Sequence, residues 1–461
     1  MTEPAADTQT NLLDDLAQRR DWPALRDAAD RIIAAGEAPW LVYYHAARAR
    51  LELKEPQTAE PLLETGMTRF PSVPQLGVLY GLAGGQTLPA EAAAERWRDL
   101  HERLPDGPGL RLGYAHALRV IGRAAESEAL LAEGARLRPD HLPTLIQYAE
   151  AASARGDFAE TAQRYAAAHE QAPDRTDIQT AQIHALRQAG QLDEADSVAR
   201  VAVAAHPTAT DLLSAQAAVA AAREDWATTA STLRRVVVRD AANQPAWEGL
   251  IWALARERDW AALEAAAAEG LRHHPGNAVL RIEYARAASA REDWPSSVSR
   301  WNAVAETCPP SAEAYFGRID ALIRARQMNA AEVVSAEAVG FAPDDRALLM
   351  QNAELAGLRL DAEEATKRWR ALKRKFPDDP AIDEGLAATR KYLGNESQKV
   401  KREETVKKKI PVRGSIRIIE KPQGEAREPV SGPVAFDRLK AGLPDAPAPK
   451  PRRLWDKLFG K

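Results

Sequence analysis

The sequence predicts an all-α fold made of short helical hairpins that repeat along most of the chain. Three observations support this prediction: the composition, a regular spacing of aromatic residues and the same spacing of prolines. The 461 residues are 45% hydrophobic and 28% charged, which is typical of a folded chain. Alanine is abundant and β-branched residues are sparse, which favours helices.

The aromatic spacing is 34 residues. The segment AREDW occurs at 222–226 and again at 290–294, and a near copy, ARERDW, lies at 255–260. Prolines share the period, because nine of ten positions that are 34 apart hold proline in a chain with only 30 prolines. These prolines are Pro71, Pro105, Pro139, Pro173, Pro207, Pro275, Pro309, Pro343 and Pro377. A period of this length indicates a stacked array of supersecondary units.

Each unit is predicted to be two helices joined by a tight turn. In the unit 142–175, apolar residues recur at helical spacing, Arg155–Asp157 breaks the first helix, and Pro173 ends the second. An aspartate in the turn is expected to cap the second helix, with a capping box where glutamate follows three residues later. The next residue, often tryptophan, is expected to pack against the neighbouring unit. The capping aspartates are Asp21, Asp157, Asp225, Asp259, Asp293 and Asp361.

The period divides the chain into an array, a cap and a tail. The array covers 1–379, a terminal capping helix is predicted at 380–394, and the period is absent from 395–461. One unit cannot bury its apolar face alone, so stacking of neighbouring units is required. The eleven units, numbered here as repeats 1 to 11, are 6–39, 40–73, 74–107, 108–141, 142–175, 176–209, 210–243, 244–277, 278–311, 312–345 and 346–379.

The pattern resembles the tetratricopeptide repeat (TPR) family, in particular bacterial arrays of many repeats. The shared features are the recurrent proline, small residues in two slots that include Gly66 and Ala149, and a Gly-Asp turn that survives at 155–158. The resemblance covers about residues 6–379. It implies a right-handed superhelical solenoid whose first helices line a concave groove that binds a peptide or a partner helix.

The resemblance also identifies candidate groove residues. Arginines in these slots are suited to bidentate pairing with carboxylates, and the alternative is a solvated groove with no single ligand. No lysine lies between Lys54 and Lys367, so the lysine clamp of TPR cochaperones is absent. The candidates are Tyr44, Arg48, His116, Arg119, Glu150, His184, Arg187, Glu248, Trp252, Glu283, Arg286, Phe316, Asp320 and Glu354.

The tail differs from the body in charge. Residues 395–461 hold 17 Lys and Arg against 9 Asp and Glu, whereas the remainder holds 45 against 57. Many prolines predict a disordered segment. A terminal amphipathic motif is expected to dock on a second partner or an anionic membrane surface, or alternatively to pack on the solenoid. The motif comprises Arg452, Arg453, Leu454, Trp455, Lys457, Leu458 and Phe459.

Several function classes lack support in the sequence. A single cysteine, Cys308, excludes a disulfide within the chain, and no catalytic, cofactor-binding or metal-binding residues are predicted. The stretch GLAGGQTLP at 81–89 lacks the lysine of a P-loop and is interpreted as a loop. Neither a secretory signal nor a membrane-spanning segment is expected. The acidic body disfavours nucleic acid, and no small-molecule substrate is implied.

These observations predict a non-enzymatic scaffold or adaptor for protein or peptide partners. The groove would hold one partner, and the basic tail would dock a second partner or a membrane surface. The alternative is a regulatory or targeting subunit of a bacterial envelope, polysaccharide or secretion enzyme complex. The expected location is the cytoplasm, either throughout it or peripheral to the inner membrane.

Overall fold

The computed structural model describes residues 3–36 and 38–390. Within these ranges the chain consists of α-helices and short turns and contains no β-strand, which confirms the predicted all-α repeat fold. The described residues belong to two compact units, one ending at Arg223 and the other starting at Glu224. The predicted tail, its terminal motif and the end of the predicted capping helix lie outside the described residues.

The first unit contains thirteen helices, which are two for each of repeats 1 to 6 and the first helix of repeat 7. They are α1 (Glu3–Gln18), α2 (Trp22–Ala34), α3 (Trp40–Glu52), α4 (Pro56–Arg69), α5 (Pro74–Thr87), α6 (Ala90–Arg103), α7 (Pro108–Val120), α8 (Ala124–Leu137), α9 (Leu142–Ala154), α10 (Phe158–Gln171), α11 (Thr176–Gln188), α12 (Leu192–Ala205) and α13 (Thr210–Ala222).

The second unit begins with the second helix of repeat 7. Its helices are α14 (Trp226–Arg239), α15 (Gln244–Glu257), α16 (Trp260–His273), α17 (Ala278–Ala290), α18 (Trp294–Thr307), α19 (Ala312–Arg324), α20 (Met328–Phe341), α21 (Arg346–Leu358) and α22 (Ala362–Lys375). A further helix, α23, begins at residue 380 and continues to residue 390, where the described part ends. In both units the core is formed between successive helices, largely by leucine and alanine.

The six predicted caps are confirmed. Each aspartate accepts a hydrogen bond from a backbone N–H in the first turn of the second helix, at 3.0–3.2 Å. The reciprocal half of the predicted capping boxes is not formed, because the N–H groups of Asp157 and Asp361 donate to Ala152 and Ala356 instead. Glu160 and Glu364 bind arginines.

A residue with positive φ ends the first helix of almost every repeat. Its amide, or that of the next residue, donates back to a carbonyl of the helix, which satisfies otherwise unpaired acceptors. Three of these residues are glycine, which adopts this conformation readily, and the other seven are not. They are Arg20, Lys54, Gly122, Gly156, Gly190, Glu224, Arg258, Glu292, Arg326 and Leu360.

Repeat 3 departs from this pattern and corrects one prediction. The stretch 81–89 was expected to be a loop, but α5 remains helical through Thr87. Glycine is needed there for packing: a Cβ on Gly81 would lie 2.5 Å from the Trp97 ring, and one on Gly84 would lie 2.8 Å from Arg96. The two glycines therefore admit the large side chains of α6 against α5.

Second-helix arginines connect successive repeats through what we call the arginine clamp. In repeat 9, Arg300 Nη1 donates to Glu264 Oε1 (2.5 Å) and to the Tyr284 carbonyl (2.9 Å). Its guanidinium carbon lies 3.6 Å from the centre of the Tyr284 ring. Glu264, from the preceding repeat, also binds Arg291, the arginine of the second AREDW segment. The clamp therefore joins both helices of one repeat to the previous repeat.

Equivalent clamps occur in repeats 3, 5 and 11, so this element recurs at multiples of 68 residues. Thr87 takes the place of the second arginine in repeat 3, and Asn352 that of the tyrosine in repeat 11. Repeat 7 carries Thr232 where the clamp arginine would stand, and the division into two compact units falls within this repeat. The other clamp pairs are Arg96–Glu60, Arg164–Glu128 and Arg368–Glu332.

Candidate functional site: the first-helix face

The candidate residues lie on the first helix of their repeats, as the sequence predicts. We call the surface that they form the first-helix face, and describe it separately for each unit. In the first unit all seven candidates are partly buried. They occupy α3, α7, α9 and α11 and are Tyr44, Arg48, His116, Arg119, Glu150, His184 and Arg187. Partly buried charges of this kind interact with a ligand more strongly than fully solvated ones.

A hydrogen-bonded chain joins two first helices of this unit. Arg119 Nη2 on α7 donates to Gln147 Oε1 on α9 (2.6 Å), and Gln147 Nε2 donates to Glu150 Oε2 (2.9 Å). Burial lowers the pKa of Arg119, and the negative charge of Glu150 opposes that shift. The guanidinium is therefore held in place and partly desolvated, a state in which an anionic ligand group is bound favourably.

Aromatic contacts organise the beginning of the first unit. The guanidinium carbon of Arg48 lies 5.4 Å from the centre of the Trp22 ring, at the start of the preceding second helix. Tyr44 packs edge-on against Trp40 and His45, with ring centres 6.2 and 5.4 Å apart. Burial raises the pKa of the Tyr44 hydroxyl. Arg48 therefore presents its charge from an aromatic support.

His45 is a buried titratable residue that the sequence reasoning did not select. It is 2% exposed, and its Nε2 lies 3.1 Å from Asp14 Oδ1. Burial lowers the pKa of His45, with Asp14 opposing the shift. Because its neighbour Tyr44 was chosen by slot alone, only the burial of the helix could have distinguished the two positions.

In the second unit the face begins with a tryptophan pair. Trp226 and Trp252 meet edge to face at 4.6 Å between ring centres, and Arg256 lies 5.2 and 5.6 Å from the two rings. Beside them, Glu248 accepts hydrogen bonds from Gln244 (2.9 Å) and from the buried Asn277 (2.7 Å). Sequence reasoning placed Trp226 only in the turn; the structure shows that it also borders the face.

Arg286 is already paired within the protein. Its guanidinium binds Glu283 on the same helix (2.5 Å) and Glu313 at the start of α19. Burial raises the pKa of Glu283, while Arg286 opposes that shift. A ligand carboxylate at Arg286 would therefore compete with two carboxylates of the chain, so this arginine is less suited to ligand pairing than its slot suggests.

The last two repeats of the second unit present carboxylates with few partners. Asp320 Oδ1 lies 3.6 Å from Arg324 Nε, and Arg324 in turn lies 5.9 Å from the Trp294 ring. Burial raises the pKa of Asp320, with Arg324 opposing. Phe316 and Glu354 are exposed. These two repeats therefore combine negative charge with an exposed aromatic ring.

The described residues include no arrangement typical of a metal centre or a membrane span. Between residues 3 and 390, leaving out residue 37, no group of three or more His, Cys, Asp or Glu side chains is placed to hold a metal ion. In the same part of the chain no helix combines the length and apolar character needed to cross a bilayer. The first-helix face is therefore the site that the geometry offers for further consideration.

Comparisons with known proteins give the following relatives. No protein-family model matches the chain, and no curated protein does so. Among solved structures, a tetratricopeptide repeat protein from Parabacteroides merdae is 16% identical, with 54% of this chain and 98% of that chain covered and a TM-score of 0.37. The C-terminal part of a TPR repeat-containing protein from Cytophaga hutchinsonii is 12% identical, with 52% and 99% covered and a TM-score of 0.41. Yeast Tom70 is 10% identical, with 88% and 99% covered and a TM-score of 0.35.

Proposed function

We propose that this chain, whose 34-residue helical hairpins make it a tetratricopeptide-type array, is a protein-binding scaffold. The observation that carries this proposal is the first-helix face of the first unit, where Arg119 is partly buried and held by Gln147. A second arginine, Arg187, occupies the same slot two repeats later. Two arginines on one array suit a partner segment that carries acidic side chains.

Charge reversal on the face tests this proposal. We expect Arg119→Glu with Arg187→Glu to weaken binding of a partner isolated with the full-length protein by about tenfold or more, since one lost charge-assisted hydrogen bond costs about 1.5–3 kcal/mol. Affinity is measured by calorimetry with the purified partner, and circular dichroism checks that the variant is folded.

The matched control reverses arginines on the second helices of the same two repeats. Arg136→Glu with Arg200→Glu makes the same change in net charge at exposed positions. If the control weakens binding as much as the face variant does, general electrostatics account for the affinity and the first-helix face is not the site.

The terminal motif 452–459 is proposed to provide a second docking point, because it combines Trp455 and Phe459 with flanking basic residues. Truncation to residues 1–394 should remove one partner, or binding to anionic vesicles, and leave the partner of the first-helix face bound. An unchanged partner set and unchanged vesicle binding would exclude the docking role.

A further inference from the structure

Two neighbouring first helices of the second unit present carboxylates beside exposed apolar side chains. Phe316 and Asp320 lie one turn apart on α19, and Glu354 and Leu358 lie one turn apart on α21. Phe316 is 43% exposed and Leu358 is 53% exposed, and the two helices pack against each other. We call these four residues the acidic face.

The negative charge of the acidic face is only partly compensated. Arg324 is 3.6 Å from Asp320, but it also lies against Trp294. Among residues 38–390, the Glu354 carboxylate has no hydrogen-bond or ion-pair partner. The slot that holds Asp320 and Glu354 carries Arg48, His116 and His184 in the first unit, so the second unit offers the opposite charge to a ligand. A ligand with positive charge and apolar groups would match it.

The chain itself supplies such a segment close by. Residues 399–413, with the sequence KVKREETVKKKIPVR, carry seven Lys and Arg against two Glu. Within them Lys407–Lys409 is followed at once by Ile410 and Val412. Positive charge next to apolar side chains complements the carboxylates, Phe316 and Leu358 of the acidic face.

The length of the connecting chain permits the contact. The described part ends at residue 390 in α23, which follows repeat 11 directly, and 17 further residues lead to Lys407. A flexible chain of that length spans roughly 20–25 Å on average, and neighbouring helices lie about 10 Å apart. Such a short tether gives an effective concentration on the order of millimolar, so weak individual contacts suffice.

We propose that residues 399–413 bind the acidic face of their own chain, with Lys407–Lys409 at Asp320 and Glu354 and with Ile410 and Val412 on Phe316 and Leu358. A partner with the same chemistry gains this surface only by displacing the segment. The contact is independent of the partner proposed for the first unit, since it involves different repeats and a ligand of the opposite charge.

Photo-cross-linking of the full-length protein tests the contact directly. Phe316 is replaced by p-benzoylphenylalanine, the purified protein is irradiated, and the cross-linked peptide is identified by mass spectrometry. We expect cross-links to 399–413. In an equal mixture of isotopically labelled and unlabelled chains, both halves of each cross-linked pair should carry the same label, because the contact lies within one chain.

Charge exchange then tests the chemistry. Lys407→Glu, Lys408→Glu and Lys409→Glu together should lower the cross-link yield at least fivefold. Adding Asp320→Lys and Glu354→Lys to that variant should restore the yield. The matched control is Glu150→Lys, the same slot in the first unit, which should leave the yield unchanged. Circular dichroism of every variant checks that the array is folded.

Three results would overturn the proposal: no cross-link to 399–413 in the folded protein, mixed-label pairs that place the contact between chains, or a yield that does not respond to either charge reversal. None of these results would affect the Arg119 and Arg187 experiment, so the two proposals can fail separately.

Discussion

Glu292, the glutamate of the second AREDW segment, adopts a φ of 59° at the end of α17. Left-handed backbone costs a residue with a Cβ about 1–2 kcal/mol, and glycine avoids that cost. The amide N–H of Glu292 donates to the Ser289 carbonyl, so the helix end itself holds the residue in this conformation. The same position is glycine in repeats 4 to 6, where the turn carries no such strain.

We therefore expect Glu292→Gly to raise the stability of the protein by about 0.5–1 kcal/mol, since the relieved strain exceeds the added entropy of the unfolded chain. Gly156→Ala should lower stability by about 1 kcal/mol for the converse reason. Urea unfolding followed by circular dichroism measures both changes. Equal effects of the two variants in either direction would contradict this assignment of strain.

The two kinds of tryptophan differ in burial and therefore in their contribution to stability. The turn residue Trp260 is only partly buried, whereas Trp301 is 2% exposed and packs where a Cβ on Gly317 would lie 2.3 Å from its ring. We expect Trp301→Ala to cost about 3–5 kcal/mol and Trp260→Ala about 2 kcal/mol. Thermal melts of the two variants check the order, and a larger loss for Trp260→Ala would refute it.

At the scale of the helical element, the arginine clamp is a three-way contact that adds to apolar packing. Arg300 and Glu264 are both largely buried, so removal of one partner leaves the other charge without compensation. We expect Arg300→Met and Glu264→Gln each to destabilise the protein by about 2–3 kcal/mol, and the double variant to lose clearly less than the sum. A coupling energy near zero in a double-mutant cycle would show that the clamp does not act as a unit.

Local features of these elements could be predicted from the sequence, whereas the clamp could not. Helix boundaries, aspartate caps and the proline that follows each second helix depend on a few adjacent residues and recur every 34 positions. The clamp depends on residues from two repeats and recurs only in repeats 3, 5, 9 and 11, so alignment at 34 residues hides it. Alignment at 68 residues, the offset of the two AREDW copies, would have brought Arg300 and Arg368 together.

The first-helix face was predicted by position but not by interaction. Slot analysis selected Arg119 and Arg286 as equivalent arginines, and the structure separates them: Arg119 binds a neutral amide, whereas Arg286 binds two carboxylates. Such pairing depends on which side chain the next repeat presents, and a single slot does not contain that information. The choice of Arg119 rather than Arg286 for mutation follows from the structure alone.

At the scale of the whole molecule, each repeat of a stacked array contacts mainly its neighbours, so a local loss of stability fades with distance along the chain. Trp301→Ala should therefore accelerate amide hydrogen exchange most strongly in α17–α20 and leave α3–α8 unchanged. Trp97→Ala, at the equivalent buried position in repeat 3, should give the converse pattern. Exchange is measured by mass spectrometry of the intact protein after proteolysis. Uniform acceleration in both variants would mean that the array opens as a single cooperative body, and the description as two compact units would then have no energetic counterpart.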